Sequence, residues 1–167
     1  MLETERLRLR PYRAEDLEAC TALWSEPEVV RYTTGNPLTR EEVWVRLLRH
    51  AGAWAMLGYS YWAVEIKTSG EFAGEIGFVE RMREIQPVLE GMPEAGWTLA
   101  SRFHGNGYAT EAMRAVLAWG DEHFDETPTV CIIHERNAAS VRVAEKCGYR
   151  EHARTIYKEH ATIIFIR

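Results

Sequence analysis

Two glycines, Gly105 and Gly107, stand immediately before a stretch that reads as a long amphipathic helix. Trp97, Thr98 and Leu99 before them read as a short strand, with Arg102 to Gly107 as the turn between. In so tight a turn, glycine lets the backbone come close to a ligand and take up conformations that a Cβ forbids. The helix start adds N–H groups without intrahelical partners and the positive end of the helix dipole. Together these suit an anion, above all a phosphate or diphosphate. An ordinary strand-to-helix loop has the same G-x-G spacing, so the neighbouring residues decide. No Lys-Ser or Lys-Thr follows Gly107, which excludes a Walker A loop. G-N-G-Y-A-T also lacks the third small residue in register for a dinucleotide fingerprint, and it lies mid-chain after antiparallel-looking strands.

What the turn does match is R-x-x-G-x-G followed by Y-A-T-E-A: Arg102, Gly105, Gly107, then Tyr108 to Ala112. This resembles the coenzyme-A pyrophosphate loop of the GNAT superfamily of acyl-CoA-dependent N-acyltransferases. Downstream, N-A-A-S-V-R-V-A-E-K-C-G-Y (Asn137 to Tyr149) is similar to the superfamily's next helix, in the form found among the ribosomal-protein N-terminal acetyltransferases. The opening T-E-R-L-R-L-R-P (Thr4 to Pro11) fits the same branch. The motifs occur in the family's order over nearly the whole chain.

The resemblance implies acetyl-CoA as cosubstrate and assigns residues to it. Main-chain N–H groups of Phe103, His104, Gly105, Asn106, Gly107, Tyr108 and Ala109 cradle the pyrophosphate, and Arg102 adds a charge contact. Trp97, Thr98 and Leu99 pair with the amide-bearing pantetheine arm as an added strand does. By position the Leu99 N–H faces the thioester oxygen. Asn137 and Ser140 also belong to the cofactor set, although the same two residues suit an N-cap and a first helical turn.

Acyl transfer to an amine also needs proton handling. A protonated alkyl amine has a pKa near 10 and attacks only after losing its proton, which a carboxylate can accept. Glu94, two residues before Gly96-Trp97, matches a position that is often acidic in the family; a solvent-facing loop residue is the competing reading. Glu75, within the hydrophobic G-E-I-G-F, and Glu159 are the alternatives. The tyrosine that many relatives carry four residues before the closing Gly-aromatic pair is Ala144 here. The Ser140 hydroxyl is then the natural donor to the leaving thiolate. A thiol with a pKa near 8.5 leaves with little help.

The rest of the chain must position these groups. At 167 residues, 46% hydrophobic and 27% charged, it is expected to form one globular domain, residues 1–167. No apolar run approaches the roughly 18 residues that span a bilayer, and the charged N-terminus lacks a signal-peptide core. Cys20, Cys131 and Cys147 have no C-x-x-C spacing, and the six histidines show no close ligand spacing. These features lead to an expectation of a reducing cytoplasm and no metal. A net charge of −5 opposes general nucleic-acid binding.

Leu7 and Leu9 alternate with Arg6, Arg8 and Arg10, a half-buried strand whose arginine row reads as solvated. A helix is expected from Asp16, halted by Pro27, then a short turn, then a helix opened by the capping box Thr39–Glu42. A hairpin spans Tyr59 to Phe78, and residues 81–93 are irregular. After the central unit come a strand (Thr129 to Ile133), the Asn137 helix stopped at Gly148, and two strands to Ile166. This order describes an α+β fold: one GNAT-like domain with a mixed, mostly antiparallel sheet of six to seven strands flanked by helices. In the resembled family the region between the first two strands lines the acceptor side, which makes Trp24, Tyr32, Trp44 and Trp54 candidates for substrate contact, and burial explains each equally well.

The expected activity is acetyl transfer to a primary amine, on a protein or peptide N-terminus or a small molecule, by direct attack. The alternative is a non-catalytic acyl-CoA sensor or interaction module of the same fold. Neither nucleic acid nor membrane is expected as a partner; the chain is expected as a monomer or homodimer.

Overall fold

The structure, a computed structural model, describes residues 1–167. Two short strands, β1 (Leu2–Glu3) and β2 (Leu7–Arg10), precede three helices: α1 (Leu17–Ser25), α2 (Pro27–Val30) and α3 (Arg40–Leu57). Strands β3 (Tyr61–Ile66), β4 (Phe72–Val79) and β5 (Glu94–Leu99) lead into α4 (Tyr108–His123). The chain ends with β6 (Val130–His134), α5 (Ala138–Lys146) and the hairpin β7 (Arg150–Tyr157) and β8 (His160–Ile166). One eight-stranded sheet runs β1-β2-β3-β4-β5-β6-β8-β7, antiparallel except where β5 meets β6. The extra strand over the expected six to seven is the two-residue β1, too short to leave a periodic signal.

Local chemistry explains the boundaries. Thr39 and Glu42 satisfy each other's backbone N–H groups as the capping box requires, which starts α3. Gly58, left-handed at φ +78°, ends that helix six residues beyond the last apolar position, Ala51, read from the sequence. Pro27 separates α1 from α2 and itself opens α2, where its missing N–H is no loss.

The two faces of the sheet differ. On one face Leu7, Leu9, Trp62, Val64, Ile76, Phe78 and Leu99 pack under Met113, Val116 and Leu117 of α4. On the other, α1 and α3 form a second apolar cluster with Trp24, Leu23, Val43 and Leu47. Between that cluster and the sheet lies a strip of buried charge. Arg10 belongs to it: only 5% exposed, it is held by Asp16 in a forked ion pair and by Glu65. The expectation of a solvated arginine row therefore fails at Arg10, because α1 and the turn before it cover that end of β2.

Candidate functional site

β5 and β6 run parallel but pair only at Glu94 and Val130. Beyond that point β5 stays with β4 as far as Leu99, and β6 stays with β8 as far as His134. The carboxyl ends of two parallel strands thus flank a gap, with α4 and α5 starting just past them. In open α/β sheets, that is where ligands enter.

One wall of the gap is main chain. The Ala100 N–H donates to the Ala73 carbonyl at 2.9 Å, so the backbone groups of Ala100, Thr98 and Gly96 face β4. Those of Trp97 and Leu99 alternate to the other side, toward the gap. The Leu99 carbonyl accepts a hydrogen bond from His104 Nε2 at 2.8 Å, while its N–H faces the gap. Of the three residues expected to pair with an extended ligand, Trp97 and Leu99 are oriented for it.

The turn after β5 follows the same logic. The N–H groups of Phe103 and His104 are used inside it, donating to Ala100 and Ser101 carbonyls at 2.9 and 3.0 Å. Asn106 Nδ2 donates to the carbonyls of Phe103 and His104, which turns those oxygens inward. The first helical bond of α4 is Glu111 N–H to Gly107 O at 3.0 Å. From Gly105 to Thr110, therefore, consecutive N–H groups donate to no protein acceptor. This run begins two residues later than sequence spacing suggests, because the 3-10 turn Ser101–Phe103 consumes the first donors. Gly105 and Gly107 have φ of +79° and +80°, and an added Cβ at Gly105 would meet nothing within 4 Å. The glycines are there for backbone conformation and an open approach. Arg102 turns away from the run: its Nη2 lies 3.4 Å from the Phe72 carbonyl and 3.8 Å from Glu71.

The opposite wall carries Asn137 and Ser140. Asn137 caps α5, its Oδ1 accepting from the Ser140 N–H at 3.1 Å. The Ser140 hydroxyl makes no hydrogen bond within the protein and is half-buried.

Two of the three candidate carboxylates, Glu75 and Glu94, lie on the α1–α3 face. Glu75 is 1% exposed and gathers the Tyr12 hydroxyl at 2.6 Å, Trp24 Nε1 at 3.4 Å and the Arg46 guanidinium. Burial alone would raise its pKa, but the Arg46 charge and these hydrogen bonds outweigh burial and bring it down to about 2. Glu94 is the first residue of β5 and 7% exposed, not a solvent-facing loop residue. Arg83 grips both its oxygens, with Nη2 2.7 Å from Oε1. Arg81 Nε lies 3.1 Å from the same oxygen, but its N–H is not aimed at it. Glu159 is exposed at the β7–β8 turn with φ +67°.

Between the two carboxylates, His50 is stacked between Tyr12 and Tyr61, at 5.6 and 4.8 Å, and its Nδ1 meets Ser60 Oγ at 3.0 Å. Burial pulls its pKa down to about 3, so it is neutral at pH 7. Nothing in the sequence marked this histidine, or Arg46, Arg81 and Arg83. Also unmarked were His134 and His160: at the mouth of the gap the Tyr32 ring lies tilted against His134 at 5.0 Å, and the His160 ring lies 5.5 Å from His134. Of the candidate tryptophans, Trp24 lies under Arg46, Trp54 packs on Trp62 and Trp119, and Trp44 is exposed.

The sequence profile described as "Acetyltransferase (GNAT) domain" matches residues 6–150. YkkB of Bacillus subtilis (strain 168), described as uncharacterized, is 37% identical over 163 residues, covering 94% of this chain and 88% of its own. A GnaT-family acetyltransferase structure from Bordetella pertussis superposes with a TM-score of 0.88 at 31% identity, over 99% of this chain and 98% of that one. The fold is also that of a spermidine N-acetyltransferase from Vibrio cholerae in complex with CoA and spermine, with a TM-score of 0.78 at 16% identity over 97% and 95% of the chains.

Proposed function

The chain belongs to the acetyltransferase (GNAT) domain family, and we propose that it transfers the acetyl group of acetyl-CoA to a primary amine. The observation that carries this reading is the run of free N–H donors from Gly105 to Thr110 beside the gap between β5 and β6. The donors receive the diphosphate of coenzyme A, the pantetheine arm lies along Trp97 and Leu99, and Asn137 and Ser140 close on it from α5. The Leu99 N–H polarises the thioester carbonyl, where charge develops in the transition state.

The amine attacks directly, with no covalent enzyme intermediate. Of the buried carboxylates, Glu75 is a poor base, since a carboxylate held near pKa 2 has little affinity for a proton. Glu94 sits where β5 and β6 part, and takes the proton in this reading. The Ser140 hydroxyl donates to the departing sulfur. The carboxylates buried or half-buried on the α1–α3 face are matched by arginines: Asp16 and Glu65 by Arg10, Glu75 by Arg46, Glu94 by Arg83. They leave no unpaired buried anion for a polycation, which favours a peptide N-terminus or a small monoamine as acceptor.

The test has two parts. Coenzyme A should raise the melting temperature where ATP and NAD do not, and acetyl-CoA should be consumed with at least one member of a panel of peptides and small amines. The arginine clamps on Glu75 and Glu94 favour one other reading, a non-catalytic acyl-CoA sensor. It predicts coenzyme A binding with no turnover on any amine, and unchanged affinity in Glu94→Gln.

A further inference from the structure

The sequence singled out Arg102 as the charge beside the anion cradle, yet its guanidinium is drawn off toward Phe72 and Glu71. Another arginine occupies the rim. Were Gly107 given a Cβ, its nearest neighbour would be Arg6 Nη2, at 3.6 Å. The Arg6 guanidinium also lies over the Tyr108 ring, 4.5 Å from its centre, at the first residue of α4.

Glu111 fixes Arg6 there. Its Oε2 accepts from Arg6 Nε at 2.7 Å and lies 2.6 Å from Nη2. Its Oε1 accepts from the Arg6 backbone N–H at 2.9 Å and the Thr4 hydroxyl at 2.6 Å. A guanidinium has five N–H donors in a rigid fork, and Glu111 occupies the edge shared by Nε and Nη2. The Nη1 end is unused, and the side chain is 43% exposed.

Glu111 would otherwise be a problem for an anion site. A carboxylate in the first turn of a helix is favourable to the dipole but repels a diphosphate seated on the same N-terminus. The Arg6 guanidinium supplies the opposite charge that offsets that repulsion, with the Thr4 hydroxyl and the Arg6 N–H donating to the same carboxylate. We propose that Arg6, locked by Glu111, is the cation of the coenzyme A site: it neutralises Glu111 and directs its free Nη1 edge to the diphosphate oxygens. The proposal rests on the acetyl-CoA reading above. It makes the N-terminal segment, whose β2 lies three strands from β5 in the sheet order, part of the donor site.

Isothermal titration with coenzyme A and with 3′-dephospho-coenzyme A tests this in the full chain. Arg6→Gln should weaken both ligands by tenfold or more and flatten the salt dependence of Kd, while Arg102→Gln changes either by less than threefold. Adding Glu111→Gln to Arg6→Gln should regain part of the lost affinity, because the unmasked carboxylate is gone; a purely structural Arg6 would show no recovery. Arg6→Lys, which keeps the charge, should stay within about fivefold of the parent and serves if Arg6→Gln does not fold. Equal Kd values for the parent, Arg6→Gln and Arg6→Lys would overturn the assignment. So would a loss seen with coenzyme A but absent with the dephospho form, which would move Arg6 from the diphosphate to the 3′-phosphate. A parent protein that binds neither ligand would instead overturn the acetyl-CoA reading itself.

Discussion

The two sides of the gap are built by different means. The end of β5 and the start of α4 offer main chain: free N–H groups on a turn and a helix start, aimed by two left-handed glycines. The cluster on the α1–α3 face is side chain: Tyr12, Arg46, His50, Tyr61, Glu75, Arg81, Arg83 and Glu94, drawn from six separate stretches of sequence and buried or half-buried against one face of the sheet. A backbone site needs only local geometry and tolerates changes in the surrounding side chains. A buried charged network needs all its members, since each ion is tolerable only while its partner is present.

Removing a member from each side should expose that difference most sharply. Gly107→Val puts a β-branched side chain at φ +80° and into the approach to the free donors. Coenzyme A affinity should fall more than a hundredfold by titration calorimetry, with the far-ultraviolet dichroism retained. Arg46→Leu should do the reverse. It strands the Glu75 carboxylate in the interior, and chemical denaturation should register a loss of about 3–5 kcal/mol with coenzyme A affinity in the surviving folded protein unchanged.

The same contrast appears against pH. His50 and Glu75 both have folded pKa values below their ordinary ones, near 3 and 2. A group whose pKa is depressed on folding binds its proton more readily when unfolded, so its contribution is complete above its ordinary pKa and fades as pH falls. The melting temperature should begin to drop below about pH 6.5, as His50 starts to protonate in the unfolded chain, and steepen below about pH 4.5 with Glu75. In His50→Gln the upper part of that decline, between pH 6.5 and 4.5, should be absent.

A smaller effect is expected at Gly96. An added Cβ would lie 1.8 Å from the Tyr61 hydroxyl, so Gly96→Ala should cost about 1–3 kcal/mol in denaturant melts. Tyr61→Phe in the same chain should restore much of it. Smallest of all should be Ser140→Ala, with a fall in kcat under tenfold and coenzyme A affinity intact.

How much could be read in advance follows from the same division. The G-x-G turn, the capping box at Thr39 and the stop at Gly148 are local signals, and each element they announced is present. The strand ending at Leu99, the turn and the start of α4 were legible for that reason. The charged cluster on the α1–α3 face was not. Glu75 stood out as an acid within an apolar strand and Glu94 through the family resemblance, but no spacing links them to Arg46 on α3 or to Arg83 in the irregular 81–93 segment. Arg10 looked solvated because alternation reports the faces of a strand, and what later covers each face depends on helices elsewhere in the chain. Arg6 and Glu111, 105 residues apart in sequence, meet only because α4 crosses back over β1 and β2.

Amide chemical shifts under titration would test the account most directly. With 15N-labelled protein, coenzyme A should move the N–H signals of Gly105 through Thr110 and of Leu99 far more than those of α1 or of the first turns of α3. If coenzyme A binds and those signals stay in place while others shift, the donor site has been put in the wrong part of the molecule.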